Sequence, residues 1–128
     1  MTDTNMDAKQ MAEIAQRYVD IITSHDLEAM CNLFAPDAIQ EDPVGGELRI
    51  GIDAIREFYT GVLSHNIKAE LIGSARCAGN SLAFPMAVTL GDEGSQVKLE
   101  TINVYEFNKD GKFTSMKAYW GADNCSAL

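Results

Sequence analysis

Histidine is scarce in this chain of 128 residues, with His25 and His65 the only two. Neither has a cysteine or carboxylate at metal-ligand spacing, so no metal site and no histidine-based triad is expected. The three cysteines, Cys31, Cys77 and Cys125, are odd in number and form no C-x-x-C pair. Reduced thiols in a cytoplasmic protein are the expectation from that pattern. No apolar run approaches the ~20 residues that cross a bilayer. The polar start MTDTNMDAKQ lacks the basic-then-apolar pattern of a signal peptide. Cations are outnumbered, 10 Lys and Arg against 19 Asp and Glu, for a net charge of −9. That sign disfavours nucleic acid and anionic membrane as partners and makes a neutral or cationic small ligand the easier fit. Neither G-x-G-x-x-G nor G-x-x-x-x-G-K-[ST] occurs, so nucleotide binding has no motif behind it. Any chemistry is expected to be acid–base work by carboxylate, phenol and amide.

What the chain does have is a clear change of period. The length fits one domain spanning residues 1–128. From Asp7 to about Ser24, Met11, Ile14, Tyr18, Ile21 and Ile22 recur at helical spacing. Asp26 suits the N-cap of a second, short helix with a stripe of Leu27, Met30, Cys31 and Phe34. A third helix is predicted from about Ile52 to Leu63, with Ile55, Tyr59 and Val62 on one side. After Asn66 the period becomes two, which predicts strands near Ile67–Arg76, Ser81–Leu90, Gln96–Phe107 and Lys112–Trp120. Pro85 demotes its strand to an edge or a bulge. Helices followed by an antiparallel meander predict an α+β fold, with three helices packed on one face of a curved, mostly antiparallel sheet.

Several polar residues fall where the pattern wants apolar ones. Asn103 interrupts the face Val97, Leu99, Thr101, Asn103, Tyr105, Phe107. A buried amide without partners costs about 1–3 kcal/mol, so it needs either a neighbouring backbone or water, or a ligand. Tyr18 and Tyr59 sit on the inner stripes of two helices. Core packing is the commoner role for such tyrosines, yet both can reach one shared cavity. The alternating Phe84, Met86 and Val88, and Met116, Ala118 and Trp120, form a core face that equally suits the wall of an apolar pocket. In the stretch AIQEDPVGG, Glu41 and Asp42 point to opposite sides of an extended chain, so at most one can face that cavity. Local sequence does not decide which.

The segments QRYVDII, FAPDAIQEDPVG, AIREFY, FPMAV and SMKAYW occur in the order and at the spacing of the steroid delta-isomerases, or ketosteroid isomerases. The chain resembles that family from about Met11 to Trp120, within the wider SnoaL-like superfamily of cone-shaped folds. Polyketide cyclases and epoxide hydrolases are weaker relatives in the same superfamily. The resemblance implies a conical apolar pocket and no cofactor or metal. It implies Asp42 as general base, Tyr18 as oxyanion-hole phenol, and Tyr59 as its hydrogen-bonding support. Phe34 falls where some members carry a further tyrosine. At position 103 the family has an aspartic acid, kept protonated to donate a hydrogen bond; here Asn103 supplies a permanent amide donor instead. Gln40, two residues before Asp42, stands where the family is apolar. Phe34, Gln40, Phe84, Met86, Val88, Met116, Ala118 and Trp120 are the expected substrate-binding residues. The implied reaction moves the double bond of a 3-oxo-delta-5 steroid into conjugation. Another enzyme on this fold, or a non-catalytic binder of apolar polycyclic ligands, are the rival readings. A homodimer is expected from the resemblance and from the outward apolar positions Ile102 and Val104.

Overall fold

The computed structural model describes residues 6–128. Helix α1 (Ala8–Ser24) starts at a capping box, in which Gln10 N–H donates to Asp7 Oδ1 at 2.8 Å and Asp7 N–H to Gln10 Oε1 at 2.9 Å. It buries Met11, Ala15, Tyr18, Val19, Ile21 and Ile22 and ends at His25, which holds a left-handed φ of 60°. Helix α2 (Leu27–Cys31) is one capped turn, with Ala29 N–H donating to Asp26 Oδ1 at 3.1 Å. Its expected stripe stops short. Phe34 is already the first residue of strand β1 (Phe34–Glu41), where Pro36 has no N–H to give a helix and holds its predecessor extended. Helix α3 (Ile52–Val62) follows a short β2 (Leu48–Ile50) and buries Ile55 and Tyr59.

The remaining strands are β3 (Ile67–Leu71), β4 (Arg76–Ala78), β5 (Ser81–Leu90), β6 (Val97–Phe107), β7 (Phe113–Tyr119) and β8 (Cys125–Ala127). They form one sheet in the order β2-β1-β7-β6-β5-β3, with β4 beside β5 and β8 beside β6. The α+β class is as expected, but the sheet is mixed. β1 runs parallel to β7, pairing Gln40 with Met116 and Glu41 with Lys117, while the other pairs are antiparallel. The single strand expected at 67–76 divides into β3 and β4. β8 was not foreseen, and all three of its residues are exposed, so no alternation marks it.

Pro85 sits inside a central strand rather than at an edge. β5 pairs with β6 without interruption from Ser81↔Glu106 to Leu90↔Val97. On its other side Pro85 O accepts from Ile72 N–H at 3.2 Å, between the stretches paired with β4 and β3. The N–H that proline lacks therefore falls at the handover between two partners, where no ladder bond is lost. Register shifts at Glu106/Phe107 and between Phe34 and Ile39 bend the sheet further.

Helix α1 packs along β3, β4 and β5, and α3 against β1 and β2, closing one face of the curved sheet. The narrow end is filled by rings: Tyr105 stacks on Phe113 at 4.2 Å, and Phe34 meets Phe113 edge-on at 5.1 Å. On the uncovered face Ile39, Ile50, Ile102 and Tyr119 remain exposed.

Candidate active site

Above that aromatic plug the cone opens into a cavity of about 290 Å³, near the lower bound of ordinary small-molecule sites. Tyr18, Asp42, Tyr59, His65, Thr101, Asn103 and Trp120 supply its polar groups, and Met86, Val88, Leu90, Leu99 and Ala118 much of its apolar wall. A wider but shallow depression of about 530 Å³ lies between α1 and the β6–β7 turn. It contains neither the buried acid nor the phenols.

The alternation of each strand decides which residues face inward; depth in the cone decides which reach the cavity. Met86, Val88, Ala118 and Trp120 line it as expected. Phe34, Gln40, Phe84 and Met116 do not. Phe84, two residues below Met86, and Met116, two below Ala118, lie on the same faces but in the packed floor, both almost fully buried. Phe34 is held in the plug, 5.9 Å from the ring of Tyr59. Gln40 is 0% exposed, and neither of its amide atoms finds a hydrogen-bond partner of good geometry. It nevertheless lies near enough to the Tyr59 phenol to favour its ionised form.

Asp42 and Glu41 part as an extended chain requires. Glu41 turns out of the cavity, where its Oε2 accepts from Gly45 N–H at 2.9 Å and pins its own turn. Asp42 faces in, and its Oδ1 accepts from Trp120 Nε1 at 2.7 Å. Val44 N–H bonds Ala118 O at 2.8 Å, fixing the same loop to β7. Burial raises the Asp42 carboxyl above the ordinary range, while the Trp120 bond and the positive charge of Arg49 pull it back down. Arg49, on β2, lies with its guanidinium 4.2 Å from the Phe58 ring centroid.

The Tyr18 and Tyr59 hydroxyls are 2.7 Å apart, both buried. Desolvation first, and then the nearby Asp42 charge, hold Tyr18 protonated far above the usual phenol range; Tyr59 is raised likewise, chiefly by burial. At neutral pH both are therefore donors. Asn103, 0% exposed, accepts at Oδ1 from the Thr101 hydroxyl at 2.8 Å and donates through Nδ2 to the Tyr105 hydroxyl at 3.1 Å. One of its two N–H groups is committed there, which leaves the other for a ligand.

The sequence reading missed Thr101, Arg49 and the hydrogen-bonding role of Trp120. Thr101 shares the period-two face with Asn103 and was detectable on that ground; Arg49 carried no signal. The arrangement as a whole sets an acid of raised affinity for protons against phenol and amide donors, across one largely apolar cavity.

A profile of the SnoaL-like domain matches residues 15–116. The chain belongs to the SnoaL-like family. It is 39% identical over 115 residues to a "Steroid Delta-isomerase" of Nocardioides simplex, covering 90% of this chain and 92% of that protein. That match bears out the family resemblance read from the sequence. It is also 30% identical over 120 residues to "Epoxide hydrolase LasB" of Streptomyces lasalocidi, covering 89% of this chain but 42% of that longer protein. Among solved structures, SalBIII, described as an epoxide hydrolase/cyclase-like enzyme in pyran ring formation, superposes with a TM-score of 0.86 at 25% identity, over 94% of this chain and 97% of that one. These relatives are enzymes, and an enzyme on this fold is what they support. Among the described residues no helix is long and apolar enough to cross a membrane.

Proposed function

We propose that this SnoaL-like protein is a cofactor-independent isomerase that shifts the double bond of a 3-oxo-delta-5 steroid to the conjugated delta-4 position. The observation that carries the reading is the grouping of Asp42, the Tyr18–Tyr59 phenol pair and Asn103 around one apolar cavity. The steroid carbonyl enters toward Tyr18 and Asn103. The Asp42 carboxylate removes a proton from the carbon alpha to the carbonyl, and the electron pair moves onto oxygen as a dienolate. Tyr18 and the second N–H of Asn103 stabilise that oxygen, donors set in place before charge develops. Asp42 then returns the same proton to the far end of the conjugated system, so no external acid, base or oxidant is consumed. The Trp120 bond opposes the rise that burial causes in the Asp42 carboxyl and so favours the carboxylate that the reaction needs.

Incubation with a beta,gamma-unsaturated 3-ketosteroid should produce conjugated-enone absorbance, lost in Asp42→Asn. A wild-type protein that binds the steroid without producing enone would sink the reading.

The LasB and SalBIII similarities favour a second reading, epoxide opening or cyclisation on another polycyclic or polyether substrate. There Asp42 would take a hydroxyl proton while a phenol protonates the departing epoxide oxygen. Turnover of a hydroxy-epoxide with none of the ketosteroid would select it. The exposed face bearing Ile39, Ile50, Ile102 and Tyr119 is the surface through which we expect two copies to pair. Sedimentation of wild type against Ile102→Glu tests that, with monomeric wild type as the contrary result.

A further inference from the structure

The cavity has two ends, and the reaction above uses one of them. Strand pairing sets the heights. Asn103 pairs with Phe84, Thr101 with Met86, Leu99 with Val88, and finally Ile67 with Leu90. The Tyr18 ring lies 6.1 Å from that of Phe84, at the lowest of these levels. Trp120 follows Tyr119, the partner of Ile102, and donates to Asp42 at 2.7 Å, so the acid and its donors share the lower half. Above them Val88, Leu99, Leu90 and Ile67 present only apolar side chains. From Phe84 to Leu90 strand β5 climbs about 20 Å at the rise of an extended chain.

Beyond the Ile67–Leu90 pair His65 restores polarity to the lining. It is exposed at the rim, and among the described residues its ring has no hydrogen-bond partner. Its loop is pinned on both sides. Asn66 O accepts from Gly91 N–H at 3.0 Å, and Asn66 Nδ2 donates to Gly91 O at 3.1 Å, which ties the loop to the turn after β5. Leu63 O and Ile67 O lie 3.0 and 3.1 Å from the two ring nitrogens of His25, at the end of α1. That ring therefore donates to one of them in either neutral tautomer. A loop held to two neighbours has little freedom left to lose when a ligand arrives. The imidazole of His65 is thus presented by a braced backbone.

We propose that His65 is a specificity-determining residue that hydrogen-bonds a neutral oxygen, hydroxyl or ketone, at the end of the ligand remote from the reacting carbonyl. The inference rests on the isomerase reading and narrows its substrate class to 3-ketosteroids oxygenated on the fourth ring. The height of the cavity asks for a long ligand. A two-ring ketone held at Asn103 would end among the apolar side chains and leave His65 to water. A neutral imidazole has one N–H and one lone pair, so it donates to a ketone or accepts from a hydroxyl. An anionic group fits less well: Asp92 and Glu93 follow Gly91 in the turn to which the loop is tied, and the chain carries −9 overall. His65 stands far along the cavity from Asp42, so its contact is alike in ground state and transition state. Its effect therefore falls on KM and leaves kcat aside.

The test uses the full chain and two 3-oxo-delta-5 steroids that differ only in a hydroxyl at the end of the fourth ring. The quantity read is the ratio of their kcat/KM values, hydroxylated over plain. His65→Phe keeps a ring at the rim and removes both hydrogen-bonding atoms; His65→Ala does the same without the added ring. In each variant the ratio should drop about threefold to tenfold, the worth of one hydrogen bond, through the KM of the hydroxylated steroid. His65→Gln, which can still donate and accept, should recover part of the ratio. A ratio indifferent to both substitutions, equal losses on the two steroids, or a change confined to kcat would overturn the role of His65 while leaving the isomerase reading intact. Wild type that isomerises neither steroid would remove that reading, and this inference with it.

Discussion

Trp120 donates its indole N–H to Asp42 Oδ1 at 2.7 Å, which makes one ring both a wall of the cavity and a governor of its acid. Burial pushes the Asp42 carboxyl up, and this bond is the first influence opposing that push. Replacing Trp120 with Phe keeps much of the wall and removes the donor. The Asp42 carboxyl should rise further, so the acidic limb of a kcat/KM profile should move to higher pH. Arg49→Met should move it the same way, by removing a positive charge. Limbs that stay in place in both variants would mean that the profile reports another group.

Asp42→Asn should lower kcat by about 10²–10⁴-fold, the usual worth of a positioned proton-transfer group, with steroid affinity near wild type. Glu41→Gln should change kcat little, since Glu41 serves its own turn. The reverse ranking would move the base to Glu41.

The same Asp42→Asn change has a signed effect on stability. A folded-state affinity for protons above that of the unfolded chain favours folding at low pH, and that gain is lost as pH rises through the folded-state value. Above it, the buried carboxylate is a net cost. Asp42→Asn should therefore raise Tm near pH 8, with the advantage shrinking toward pH 3. A Tm difference independent of pH would show that the carboxyl is not perturbed by folding.

Asn103→Asp places a carboxyl in an apolar site beside developing negative charge, where desolvation keeps it protonated at neutral pH. As a neutral acid it donates more strongly than the amide, so kcat should hold or rise. It should then fall in alkaline solution, a limb the Asn103 protein lacks. Asn103→Leu should lower kcat, by up to about a hundredfold for one lost oxyanion donor. Identical pH profiles, with Asn103→Leu fully active, would take Asn103 out of the reaction.

Gln40 is the one fully buried side chain among the described residues with neither amide atom well bonded. An unsatisfied buried amide costs about 1–3 kcal/mol, so Gln40→Met, close in shape, should raise Tm. It should also weaken Tyr59 as support for Tyr18, lowering kcat modestly. A fall in Tm would mean that the amide bonds the Tyr59 hydroxyl in solution more closely than here.

Much of this architecture is legible in the chain because burial imposes a period on it. α1 buries one continuous stripe, and β5 from Ser81 to Met86 and β6 from Glu100 to Phe107 bury every second residue, so all three are marked in the residue order. β8 buries nothing and leaves no mark, and β1 follows a single helical turn whose apolar residues run on into the strand. The site shows the same division. Tyr18, Asp42, Tyr59 and Asn103 stand out as polar interruptions or family positions, and the cavity brings them together. Phe84 and Met116 were placed on the right faces at the wrong depth, because alternation carries no information about height in a cone. Arg49 is brought near enough to Asp42 to act on its charge by the β1–β2 pairing, a cross-strand relationship that one strand's pattern cannot announce.

The parallel pairing of β1 with β7 sets the order in which such a molecule can come together. The contact between Trp120 and Asp42 spans 78 residues, whereas the β5–β6 hairpin closes across a short turn. Loop-closure entropy makes distant pairings late and slow to form. The hairpin is thus suited to nucleate the fold, and the docking of β1 onto β7 to complete it. A chain still emerging during synthesis, or one cut after β6, would own the phenols and the amide but not the partner of its acid. Competence for proton transfer would then arrive in the final step of folding, all at once.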